Sequence, residues 1–99
     1  MEEEPKNQIQ IEIDDATAKG TYSNLAFITH SETEFVIDFV FHQPQAPKTR
    51  VLARVVCSPV HMKRLAAAVQ DNLHKYEARF GEINASPGQA PPKAGGYFH

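Results

Sequence analysis

A chain of 99 residues with 41% hydrophobic content has room for one small domain. A domain of that size buries only roughly 60–65% of its unfolded surface, so a lone core is marginal and self-association is a natural remedy. A formal charge of −2 and a pI near 6.2 give no overall drive toward nucleic acid or an anionic membrane.

Residues 1–7 are charged or polar around Pro5 and read as a frayed acidic arm. From Gln8 the pattern changes. Ile9, Ile11 and Ile13 alternate with Gln10, Glu12 and Asp14, the period-two signature of a half-buried strand, which predicts a first strand over Gln8 to Ile13. Asp15 to Gly20 supplies small and polar residues for a turn, and Thr21 to His30 resumes β-type composition as a second strand. Ser31 to Glu34 form the next turn.

The third and fourth strands carry the strongest alternation. Phe35, Ile37, Phe39 and Phe41 share one face, and Val51, Ala53, Val55 and Cys57 do the same in the following run. Pro44 and Pro47 mark the connection between them as a loop, since neither can serve a central ladder. Matching the two apolar faces predicts a hairpin with Phe41 opposite Val51, Phe39 opposite Ala53, Ile37 opposite Val55 and Phe35 opposite Cys57. A one-residue slip would turn all of them to the wrong side. The same register sets Val40 opposite Leu52, Val36 opposite Val56, and Asp38 opposite Arg54 between those apolar pairs.

Ser58-Pro59 then opens a helix: Ser58 can accept from first-turn N–H groups, and Pro59 at the first helical position sacrifices no hydrogen bond. Met62, Leu65, Ala66, Val69, Leu73, Tyr76 and Phe80 form an apolar stripe that stops at Gly81, the expected left-handed residue after the last turn. This helix is expected to cover the Phe-bearing face of the sheet. The other face, with Val36, Asp38, Val40, Leu52, Arg54 and Val56, then has no cover within the chain and is assigned as an interface with a second copy. Residues 84–99 are rich in Pro, Gly and Ala and read as a disordered tail, whose Tyr97 and Phe98 could dock a partner.

Little in the chain is arranged for catalysis. Among the five histidines, His61 and His74 are thirteen apart and form no i,i+4 pair, no CxxC accompanies Cys57, and no glycine-rich phosphate loop exists. His30 and His42 flank strand ends, which keeps a metal or small-ligand site as one alternative. Cys57 falls on the inward series of its strand and reads as a small core hydrophobe. As the only cysteine, it excludes an intramolecular disulfide framework and suits a reducing compartment. Glu32 and Glu34 belong to a turn, and Asp38 has a partner in Arg54. No enzyme, cofactor or metal is therefore expected.

A nucleic-acid-binding regulator is the first alternative, with Lys48 and Arg50 on the hairpin and Lys63 and Arg64 at the helix start. Asp71, Glu77 and the acidic arm dilute that patch. With no apolar run after Met1-Glu2-Glu3-Glu4 and no 18-residue apolar stretch, a cytoplasmic protein without membrane association is expected.

Several short pieces occur in order: Gly20-Thr21-Tyr22-Ser23-Asn24, then His30 with Glu34 to Phe39, then Arg54 to Pro59 with His61, and finally Asn72, Tyr76-Glu77 and Phe80-Gly81. Through them the stretch from about Gln8 to Ile83 resembles a small bacterial family, domain of unknown function (DUF) 3467. The resemblance implies a compact cytoplasmic protein and no reaction. It further implies a partner in the transcription machinery, with RNA polymerase the named candidate, because members in some bacterial lineages lie beside the genes for its large subunits. The expectation is thus an α+β domain over residues 8–83, four antiparallel strands and one C-terminal helix, acting as a homodimeric, non-enzymatic interaction module. Asn24 and Asn72 are expected to bridge backbone groups, and a ligand role for Tyr22, Ser23 and Asn24 is the lesser reading.

Overall fold

A computed structural model describes residues 8–85 and 95–96; the expected acidic arm, Tyr97 and Phe98, and most of the expected tail lie outside the described residues. The architecture is α+β. A single turn of helix, α1 (Asp15–Ala18), precedes β1 (Leu25–His30), β2 (Phe35–Val40) and β3 (Val51–Cys57), and a long helix, α2 (Pro59–Phe80), follows. The sheet is antiparallel, has three strands rather than the expected four, and runs in the order β1-β2-β3.

The missing strand is the stretch around Ile9, Ile11 and Ile13, which lies exposed and outside every ladder among the described residues. Its alternation is real, but a strand exists only where a neighbour supplies hydrogen bonds. The turn expected after it contains α1. Asp14 caps this turn through Oδ1, which accepts from the Thr17 N–H at 2.9 Å, and Gly20 leaves it at φ 77°.

The β2–β3 register runs as the apolar faces demand, from Phe35 opposite Cys57 through Asp38 opposite Arg54 to Phe39 opposite Ala53. It then shifts. Val40 lies opposite Val51, not Leu52, and Leu52 becomes the extra residue of a β-bulge. At this end β2 is tied to β1 instead: the Val40 carbonyl accepts from Ser23 Oγ at 2.8 Å and from the Asn24 N–H at 3.1 Å. At the other end Ser31 closes the β1–β2 turn, its Oγ accepting from the N–H groups of Thr33 and Glu34.

The α2 boundaries follow the capping chemistry. Ser58 Oγ accepts from the His61 N–H at 3.1 Å, Pro59 occupies the first turn, and Gly81 ends the helix at φ 97° with its N–H on the Glu77 carbonyl. The helix does not cover the Phe-bearing face as expected. No residue of α2 is buried, and from Ala66 onward its apolar stripe is exposed. One residue, Ser58, separates β3 from α2, whereas connections that lay a helix back on its own sheet commonly use two to six. The core is correspondingly thin. Among the described residues only Ile37, Asp38 and Val40 are buried, all on the central strand.

Candidate interaction surface

Pairing places Phe27, Asp38 and Arg54 side by side on one sheet face, with Thr29, Val36 and Val56 on the next pair along. The Asp38 side chain is 2% exposed, and Arg54 grips it with both arms, Nε to Oδ1 at 2.6 Å and Nη2 to Oδ2 at 2.8 Å. Such fork-to-fork pairing commits both carboxylate oxygens to charge-assisted hydrogen bonds. The geometry suits a structural clamp between β2 and β3. Of the six residues assigned to an interface, Asp38 and Val40 are buried by the chain itself and Val36 is half-buried. Leu52, Arg54 and Val56, on the edge strand β3, stay exposed.

The histidines considered as a metal pair end up at opposite ends of the β1–β2 hairpin. His30 stands opposite Phe35 at the turn, its ring 5.4 Å from that of Phe35, while His42 follows the far end of β2. At His42 the Asn24 amide donates to the backbone carbonyl at 2.8 Å and accepts from the backbone N–H at 2.7 Å, and the ring meets Thr49 Oγ1 at 2.9 Å. Asn24 thus bridges backbone groups, as its type in that place suggested. Asn72 reaches only the Ala68 carbonyl within its own helix, at 3.3 Å. Tyr22 packs edge-on against Phe41, and Ser23 is spent on the β1–β2 closure.

The basic residues are also divided by the topology. Lys48 and Arg50 precede β3, and Lys63 and Arg64 follow it on α2, so the seven-residue strand separates the two groups by roughly 20 Å. Cys57 is half-buried at the end of β3.

Among the described residues, many large apolar side chains stay exposed. Ile11 is 81% exposed, Ile28, Val55 and Val56 are exposed on the sheet, and along α2 Val69 and Leu73 lead to Tyr76 at 50% and Phe80 at 65%. Single exposed hydrophobes are ordinary on any protein; here they recur along much of the length of one helix. The strict 4-3-4-3-4 spacing of Met62, Ala66, Val69, Leu73, Tyr76 and Phe80 is a sequence signal of a helix–helix seam. Read only as general amphipathicity, it points to the sheet instead.

The class this fold defines is that of small α+β domains, a three-stranded antiparallel sheet followed by one long helix with an exposed apolar stripe. Residues 1–85 match the family described as Protein of unknown function (DUF3467), and the chain belongs to that family. No curated protein and no solved structure matches it. Among the described residues, no helix is long and apolar enough to cross a membrane.

Proposed function

We propose that this protein is a non-enzymatic interaction module that works as a homodimer, joined through the apolar surface a single chain leaves uncovered. The observation that supports this reading is the imbalance between core and surface. Three buried residues stand against an exposed apolar helix stripe, exposed sheet valines and an unpaired isoleucine segment among the described residues. Removing apolar surface from water yields about 25 cal/mol per Å², and a second copy is the partner always present at equal concentration. Sedimentation equilibrium tests it: the expected mass is that of two 11.1 kDa chains, and a monomer at micromolar concentration sinks the reading.

The further partner proposed is the transcription machinery, on the strength of the family resemblance. Its test is retention of purified RNA polymerase on the immobilised protein, with binding to DNA or RNA alone measured in parallel. Capture by nucleic acid that falls steeply with salt would instead favour a regulator working through Lys48, Arg50, Lys63 and Arg64.

A further inference from the structure

We infer that α2 pairs with α2 of a second copy in antiparallel orientation, about a two-fold axis at the level of Asp71; the inference rests on the homodimer reading above. The seam positions alternate at steps of four and three, the spacing that keeps one stripe facing a partner helix. Running the partner antiparallel sets Met62 against the partner's Phe80, Ala66 against the partner's Tyr76, and Val69 against the partner's Leu73, each pair symmetric about residue 71. A self-complementary interface has this property, because each contact recurs with the chains exchanged.

Size and charge select the orientation. The smallest seam residue, Ala66, meets the large Tyr76 ring, and the two ends are closed by Met62 with Phe80. A parallel pairing would set Ala66 on Ala66 and Tyr76 on Tyr76, a void beside a crowd, and both are penalised in a packed interface. Beside the seam, antiparallel helices place Lys63 next to the partner's Glu77 on both sides of the axis. In the parallel arrangement the positions flanking the seam put Asn72 by Glu77 and Leu65 by Gln70, with no opposite charges.

The structure holds these groups ready. Glu77 is half-buried along the helix, its Oε2 accepting from the Ile83 N–H at 2.9 Å, and Lys63 is exposed. Tyr76 and Phe80 already pack ring to ring at 5.0 Å, with Arg79 Cζ 5.2 Å from the Phe80 centroid, forming one preformed apolar end. The one ion pair within the helix, Asp71 with Lys75 at 3.0 Å, sits on the face away from the seam, where pairing leaves it untouched.

The experiment uses the full chain with Cys57→Ser as background. Chains carrying Ala66→Cys and chains carrying Tyr76→Cys are mixed and mildly oxidised, and the disulfide products are identified by mass. The mixed Ala66→Cys/Tyr76→Cys product is expected, with neither variant linking to itself. Separately, Lys63→Glu should weaken the dimer about tenfold by setting like charges together twice, and adding Glu77→Lys should restore it to within about threefold. Circular dichroism checks that helicity is kept. Self-linked Ala66→Cys would overturn the antiparallel orientation. A parent dimer that gives no mixed product and ignores Lys63→Glu overturns the helix pairing while leaving the homodimer reading intact. A monomeric parent overturns both.

Discussion

Cutting the Asp38–Arg54 clamp from either side should produce unequal losses, because its two partners sit in different dielectrics. Asp38 is 2% exposed, while the Arg54 side chain is 53% exposed. Removing one member of a buried ion pair costs about 3–5 kcal/mol when the remaining charge is left desolvated. Arg54→Ala strips a buried carboxylate of its bidentate partner, but the space vacated by a half-exposed side chain admits water. About 3 kcal/mol, the lower end of that range, is therefore expected. Asp38→Ala leaves a guanidinium that water already reaches, so the loss is about 1–2 kcal/mol, mainly two charge-assisted hydrogen bonds and a small void.

The double variant should then lose less than the two singles combined, with a coupling of about 1–2 kcal/mol. Urea unfolding at one fixed protein concentration measures all four corners of the cycle, the concentration being held because association shifts apparent stability. Equal losses for the two singles, or losses that simply add, would refute the view that burial of the carboxylate makes this pair matter.

Further expectations follow from other elements. Val40→Glu, at a position 2% exposed, should abolish the cooperative fold itself, whereas Val56→Glu on the exposed edge strand should keep the fold and weaken self-association; gel filtration with near-ultraviolet circular dichroism separates the two results. Ser58→Ala should cost about 1 kcal/mol and show as reduced helicity, since it orphans the His61 N–H at the start of α2. Gly81→Ala should also destabilise, because φ 97° is strained for any residue with a Cβ. The Thr17 side-chain and backbone hydrogen bonds hold the Asp14 carboxyl below the ordinary carboxylate range. Its contribution to α1 is therefore present above the unfolded pKa and lost as pH falls through the lower folded value, readable as a shift of the Thr17 amide signal in acid.

What the sequence determines here is local and periodic. Ser58-Pro59 and Gly81 bound α2 because capping is a matter of adjacent backbone groups and a single φ angle. Period-two alternation sets the β2–β3 register as far as Phe39, and with it the meeting of Asp38 and Arg54, because a slip would expose every inward residue together. The resemblance to the family was equally legible, since it rests on residues in order along the chain.

The rest depended on what faces what. Alternation marked Ile9, Ile11 and Ile13 as strand-like, but pairing needs a neighbour, and the described chain supplies none. The bulge at Leu52 arose where β2 is tied to Ser23 and Asn24, a contact between elements remote in sequence. His30 and His42 both flank strand ends in the sequence, and the length of a hairpin holds them apart. An apolar stripe states only that one side of a helix avoids water. Whether the chain's own sheet covers it is a matter of tertiary packing, and in the fold α2 follows β3 after one residue with no residue of its own buried.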